Sequence, residues 1–316
     1  MKRLSIATCA AMLSLFIGGT AQAGLTAYYD FEGNFNDYPG AGLFADDLVN
    51  QGNGTSIVAG GAANGPFFAK GSTQSYAFTR GPGLNTQDPR VSTAAFTTDL
   101  TSTDQYTIMF WLKMDDMFQD PIGGNNIRLA TVKYNAANAA TPEIGWQIEG
   151  INNGATGPDL RIQGAPVGNF FAPDANPSLT GVNNNNNPAD DLWYHIAYVV
   201  SNSGGPGGNA YMETFVNGTS VGIVANAAAT GGTDLRNVNG RLILGGHNST
   251  ARSATGFMDD FALFDMVLSD TDILLIAEGQ LSPADFLGGP AIPEPATFAL
   301  LMLGGALGLR RQRRAA

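Results

Sequence analysis

The sequence predicts an all-β protein whose body is one large antiparallel sandwich, and three observations carry that expectation. Turn formers are abundant: 41 Gly and 16 Pro stand among 316 residues, with runs such as Asn183 to Asn187 and Ser203-Gly204-Gly205-Pro206-Gly207-Gly208, a profile of many short strands joined by loops. The segments 106–114 and 192–200 are apolar on both alternating faces, as strands covered from both sides are. Asn217-Gly218, set between two apolar runs, is a tight-hairpin signal.

Along the body, Leu25, Ala27, Tyr29 and Phe31 alternate with Thr26, Tyr28, Asp30 and Glu32, which predicts a first strand. Turn-rich sequence follows to Gly65. The next clear strand places Tyr106, Ile108, Phe110, Leu112 and Met114 on one face and Met109 and Trp111 on the other. Shorter strands are expected near 127–134, 144–149 and 160–162, then 192–200, the hairpin arms 210–216 and 220–224, and finally 241–244 and 257–264. One short helix is expected near the C-terminal end of the body, with Ser269 as its cap, Asp272 at its third position and Ile273 to Ile276 as its apolar contacts. No strong linker or internal repeat divides the body, and its length is enough for a single substantial core.

The two ends carry sorting information. Lys2 and Arg3, an apolar stretch from Leu4 to Ile17, and Ala21-Gln22-Ala23 form a secretory signal with a signal peptidase site before Gly24. Cys9, the single cysteine, lies inside that signal, so the mature chain has no thiol chemistry. At the other end stand Pro293-Glu294-Pro295, an apolar stretch from Ala296 to Leu309, and Arg310, Arg311, Arg313 and Arg314. As a helix that stretch is about 21 Å long, short of a ~30 Å hydrocarbon core, and so suits transient retention in the inner membrane with the arginines on the cytoplasmic side. This tail resembles the PEP-CTERM sorting signal of Gram-negative bacteria, which implies processing by an exosortase-type enzyme and a destination at the cell surface, the outer envelope or the extracellular matrix.

Without Lys2, Arg3, the four tail arginines and Glu294, the body keeps 10 basic against 26 acidic residues, about −16. Such a surface repels nucleic acid and anionic lipid and suits cations or neutral polymers.

The order of segments also resembles the laminin-G-like, concanavalin A-like jelly roll. The matching pieces are Ala27-Tyr-Tyr-Asp-Phe-Glu-Gly33, Tyr106-Thr-Ile-Met-Phe-Trp-Leu112, Trp193-Tyr-His-Ile-Ala197, Phe215-Val-Asn-Gly-Thr219, Leu242-Ile-Leu-Gly-Gly246 and Gly256-Phe-Met-Asp-Asp-Phe261 followed by Leu268-Ser269. The resemblance implies two antiparallel sheets packed face to face, and a division into signal peptide (1–23), jelly-roll domain (24–282), linker (283–292) and sorting tail (293–316). Trp111 and Trp193 are then core aromatics. Trp146, beside Gln147 and Glu149, is the candidate for contact with a glycan.

Asp259 and Asp260 draw notice because strict alternation puts one with Phe257, Phe261 and Leu263 and the other with Met258, Ala262 and Phe264, so an inward carboxylate needs a cation, a basic partner or hydrogen-bond donors. The resemblance implies a structural calcium between first and last strands, held by Asp30 and Asp260 with loop carbonyls near Asn50 to Gly54. Catalytic chemistry is not apparent. Glu143 and Glu149 would lie ~20 Å apart on a regular strand, beyond the ~5 to 9.5 Å of a glycosidase pair, and His195 and His247 show no metal-ligand spacing. The expected function is a non-catalytic carbohydrate-binding or adhesion module that meets extracellular polysaccharide, with a purely structural matrix component as the alternative and a glycan hydrolase or lyase third.

Overall fold

The computed structural model describes residues 24–36, 38, 47–50, 54–79, 90–94, 105–116, 126–133, 145–152, 158–165, 192–201, 204–208, 210–226, 241–246 and 255–287; over 145–152 and 158–165 it describes the backbone and the side chain of Ile148. In chain order the strands are β1 (Leu25–Tyr29), β2 (Val49–Asn50), β3 (Thr55–Ala59), β4 (Ala63–Asn64), β5 (Phe67–Phe68), β6 (Gln74–Phe78), β7 (Val91–Ser92), β8 (Gln105–Asp116), β9 (Asn126–Lys133), β10 (Gly145–Asn152), β11 (Pro158–Ala165), β12 (Tyr194–Ser201), β13 (Ala210–Val216), β14 (Thr219–Asn226), β15 (Arg241–Leu244) and β16 (Thr255–Phe264). They are followed by the helix α1 (Asp270–Ala277) and a 3₁₀ turn at Pro283–Phe286.

The larger sheet has eight strands in the order β14-β13-β12-β8-β16-β6-β3, with β1 also paired to β16; the smaller has six, in the order β11-β10-β9-β15-β7-β2. All the pairings are antiparallel. Two strands share one side of β16: β6 pairs with Gly256 to Met258 and β1 with Phe261 to Phe264, leaving a seam opposite Asp259 and Asp260.

The doubly apolar strands have the cover that their composition requires. Inward, Ile108, Phe110 and Leu112 of β8 and Ile196 and Tyr198 of β12 meet Leu129, Ile148, Leu242 and Leu244 of the smaller sheet in the main core. Outward, Met109, Val199, Phe215 and Phe264 are covered by Leu268, Ile273 and Ile276. Trp111 and Trp193, both buried as expected, pack with Ala62, Ala69 and Phe67 from a strap formed by residues 60–73. Thr107 fixes the chain leading into α1, donating to the Met266 carbonyl at 2.8 Å and accepting the Leu268 amide at 3.0 Å. The helix starts where the cap signal predicts, with the Ser269 side chain accepting the Asp272 amide at 3.1 Å.

The structure departs from the sequence reading in three places, each with a local cause. A bulge between Leu25 and Ala27 breaks the expected alternation of β1, so Leu25 joins the outer layer with Tyr28 while Ala27, Tyr29 and Phe31 enter the main core. In β16 a second bulge reverses the phase: Asp259 shares the outer face with Phe257, but Phe261 and Leu263 point inward. β3 and β6 were hidden in turn-rich sequence, although Tyr76 and Phe78 are wholly buried. The compact unit runs from Gly24 to Leu287. Ser282 caps the 3₁₀ turn, and Phe286 packs edge-on against Phe264 with ring centroids 5.6 Å apart.

Pro293, Glu294, Pro295, Arg310 and Arg311, together with the N-terminal signal, lie outside the described residues, as do Glu143 and His247. Among the described residues no helix is long and apolar enough to cross a membrane.

The hairpin glycine offers a test of this packing. Asn217 and Gly218 have φ of +49° and +73°, as a primed two-residue turn demands, and a Cβ on Gly218 would lie 2.9 Å from the Leu274 Cα of α1. Gly218→Ala should therefore cost about 1–3 kcal/mol in urea unfolding. Gly60→Ala, at φ +110° with open space around the added methyl, should cost less.

Candidate functional site

The seam on β16 begins as a backbone irregularity. Asp259 pairs with Trp111 and Ala262 with Met109, so Asp260 and Phe261 together oppose Phe110 alone, the two-against-one count of a β-bulge. Asp260 takes φ +45°, a left-handed conformation that Asp tolerates better than most residues. The kink turns two consecutive carboxylates into the interior, where Asp259 is 0 % and Asp260 5 % exposed.

Protein donors meet both. One Asp259 oxygen accepts the Ser72 hydroxyl at 2.6 Å and the Ala62 amide at 3.0 Å, and the other accepts the Asp260 amide at 2.9 Å. Asp260 accepts the Tyr28 hydroxyl at 2.5 Å, and that hydroxyl lies 3.4 Å from the Ser282 hydroxyl. Glu32, just beyond β1, accepts the Thr73 amide at 2.6 Å, the Thr73 hydroxyl at 2.5 Å and the Gln74 amide at 2.9 Å. It thereby ties the exit of β1 to the entry of β6. Asp30 accepts the Glu32 amide at 3.1 Å. A Lys70–Asp285 ion pair of 2.8 Å, exposed on both sides, pins the strap to the 3₁₀ turn.

The electrostatics follow from this crowding. Burial pushes the Asp259 carboxyl up to about 7, opposed by its three hydrogen bonds and assisted by the Glu32 charge. Burial, then the charge of Asp259, and further off those of Asp30 and Glu32, hold Asp260 well above the usual carboxylate range against the Tyr28 hydrogen bond. Burial and then Asp260 raise the Tyr28 phenol. Burial also acts to raise Glu32, but the donors of Thr73 and Gln74 win and keep it low. No lysine or arginine among the described residues pairs with these acids. Both shifts act to favour the protonated form of these adjacent carboxyls.

The structure thus puts Asp30 and Asp260 in one electrostatic cluster with Glu32 and Asp259, and it joins to the carboxyls Tyr28 and Ser72, which sequence reasoning did not assign. The donor set is oxygen only, which suits calcium. Among the described residues no three acidic or histidine side chains converge on a metal-sized site, so a cation held by Asp30 and Asp260 would draw its other ligands from carbonyls; residues 51–53 lie outside the described part. Trp146 lies in β10, paired with Val132 and Gly164, and its side chain is outside the described residues. His195 is buried against Trp111, ring centroids 5.3 Å apart, and burial lowers its pKa to about 3.

These shifts make a signed prediction. Because the folded Asp259 carboxyl titrates above its unfolded value, its protonation stabilises the fold most below about pH 4, and that contribution is lost as pH rises through about 7. His195 acts in the opposite sense: its folded pKa is depressed, so its contribution is lost as pH falls below about 6.5. Comparing urea stability of wild type and Asp259→Asn from pH 4 to 8 isolates the first effect. The wild type should lose ground relative to the variant as pH rises, by on the order of a few kcal/mol across that window.

Comparison with known proteins places this geometry. Residues 85–274 match the family model for the concanavalin A-like lectin/glucanases superfamily, and residues 291–314 match the PEP-CTERM protein-sorting motif. Among solved structures, the chain is similar to the botulinum neurotoxin serotype D ligand binding domain in complex with N-acetylneuraminic acid, at 14 % identity and TM-score 0.52, covering 81 % of this chain and 51 % of that one. It is also similar to domain 4 of AbnA, a GH43 extracellular arabinanase from Geobacillus stearothermophilus, in complex with arabinotriose, at 15 % identity and TM-score 0.48, covering 81 % of this chain and 99 % of that one. The chain spans about half the length of the neurotoxin binding domains it resembles. No curated protein matches. With two antiparallel sheets, the matched segment and the sorting motif together, the chain belongs to the concanavalin A-like lectin/glucanases superfamily and carries a PEP-CTERM sorting signal.

Proposed function

We propose that this protein is an exported, non-catalytic carbohydrate-binding or adhesion module, released to the surface or extracellular matrix of a Gram-negative bacterium by signal peptidase at one end and an exosortase-type enzyme at the other. The observation that carries the reading is the union in one chain of a lectin/glucanase fold with a sorting motif. Support for the non-catalytic part comes from the acids of the seam: Asp259 and Asp260 are buried and bonded to protein donors, whereas a glycosidase pair must face its substrate. The net charge of the body favours a neutral polysaccharide over an anionic one. Of the solved structures it resembles, the neurotoxin domain of higher TM-score is seen with the acidic sugar N-acetylneuraminic acid, which supports carbohydrate binding but not the preference for neutral glycans. A glycan array with the chain from Gly24 to Pro290 should return binding to neutral glycans, and incubation with the same polysaccharides should release no reducing ends above background. Binding to nothing on the array would favour the purely structural reading, and turnover lost in Glu143→Gln or Glu149→Gln would make the protein a hydrolase.

A second reading concerns calcium, which the mutual repulsion of Asp30, Glu32, Asp259 and Asp260 favours, since a cation there would relieve it. In this proposal Asp30 and Asp260 hold the ion and supply charge, and the ion joins the first strand to the last. At a free concentration about 100 times Kd, binding to the folded state alone adds ~2.7 kcal/mol. Chelation should then lower the melting temperature by several degrees, magnesium should restore it poorly, and Asp260→Asn should remove the dependence. A melting curve indifferent to chelator after exhaustive stripping overturns the calcium proposal.

A further inference from the structure

We propose that removal of the signal peptide creates an ion pair that the precursor cannot make, between the new α-ammonium group of Gly24 and the carboxylate of Asp265, and that this pair fastens the start of β1 to the end of β16. The inference rests on the reading that cleavage falls before Gly24.

Gly24 and Asp265 already grip each other through the backbone. The Asp265 amide donates to the Gly24 carbonyl at 2.9 Å, and the Gly24 amide donates in return to the Asp265 carboxylate. The carboxylate lies flat against the glycine: a Cβ on Gly24 would stand 1.8 Å from Asp265 Oδ1 and 2.5 Å from its Cγ. A side chain at 24 would push this carboxylate away from the backbone it faces. The Asp265 side chain is partly buried, and that desolvation raises its carboxyl despite the amide donors, so a full positive charge at the same nitrogen is better placed than a neutral amide.

Cleavage supplies that charge. Hydrolysis of the Ala23–Gly24 peptide bond puts the water oxygen on the Ala23 carbonyl carbon and a proton on the Gly24 nitrogen, and the resulting amine takes a further proton at neutral pH. One neutral donor becomes an ammonium without moving the atom that faces Asp265. The end of β1 is where such a tie matters. That strand has five residues, is bulged between Leu25 and Ala27, and among the described residues pairs with β16 alone. It also leads directly to Tyr28 and Asp30 of the acidic seam.

Four proteins test the proposal, all carried through to residue 316: chains beginning at Gly24 or at Ala21, each with Asp265 or with Asp265→Asn. The chain beginning at Gly24 should melt about 2–4 °C above the chain beginning at Ala21. Asp265→Asn should erase that difference, and about 0.5 M salt should shrink it. Titration followed by NMR should place the Gly24 amine above the usual α-amino range of about 7.7–8.0, and Asp265→Asn should return it there. An equal effect of Asp265→Asn in both backgrounds, with an unshifted amine, overturns the ion pair. Should Asp265→Asn fail to fold, Nα-acetylation of the Gly24 chain gives the same comparison, and no change in melting on acetylation again overturns it. Intact mass of the exported protein decides the underlying cleavage reading separately: an N-terminus other than Gly24 removes the pair from the natural protein whatever the four chains show.

Discussion

The burial of two consecutive carboxylates in β16 is the constraint on which the larger sheet is organised. A regular strand would have sent one of them into the main core, where an isolated charge is costly. The bulge avoids this by turning both toward the seam between β1 and β6, where backbone and hydroxyl donors are available. The same kink resets the phase of β16, so that Phe261 and Leu263 reach the main core while Ala262 and Phe264 meet the layer beneath α1. Asp259 and Asp260 therefore decide which face each later residue of the strand presents. They also anchor three separate pieces of chain: the strap through Ala62 and Ser72, the first strand through Tyr28, and the C-terminal turn through the contact of Tyr28 with Ser282.

That dependence explains what the sequence disclosed and what it withheld. Strands that carry their own periodicity or their own turn, such as β8, β12 and the β13–β14 hairpin, were legible because neighbouring residues suffice to define them. The helix cap at Ser269 was legible for the same reason. The bulges were not. A pattern of period two has no symbol for an extra residue, and whether Asp-Asp interrupts a strand or rides through it depends on Phe110 across the sheet. Glu32 and Ser72 could not be read from the sequence, because their roles come from meeting the ends of strands far off in sequence. Two adjacent acids inside an otherwise apolar run were the available signal that something nearby must satisfy them.

The electrostatic design is unusual for so acidic a chain. Outside the seam, exposed carboxylates are cheap in water and keep the body soluble. Inside it, no basic partner is provided among the described residues, so the carboxyls are met by hydroxyl and amide donors, and burial favours their protonated form. The Glu32 carboxylate shows the same economy in a more exposed setting, where three donors suffice to hold it ionised. Both devices use groups that a chain with few bases has in abundance.

Placement of the strap and helix also limits where a polymer can bind. The middle of the larger sheet's outer face is committed: Met109, Val199 and Phe215 lie under the helical layer and Trp111 and Trp193 under the strap. Aromatic rings that would suit sugar stacking if exposed are instead load on the fold, and removing the cover to reach them would expose the acid pair as well. On the proposed function, a glycan therefore meets the smaller sheet, the loops or the uncovered edge of the larger sheet, where Ile223 of β14 is exposed; within the smaller sheet the paired strands β10 and β11 form one edge, with β10 carrying Trp146. The division follows from the physics of the two sheets. The strands that hold the buried acids have to be roofed, which leaves the smaller sheet and the far edge of the larger one as places where a binding surface can evolve without disturbing the seam.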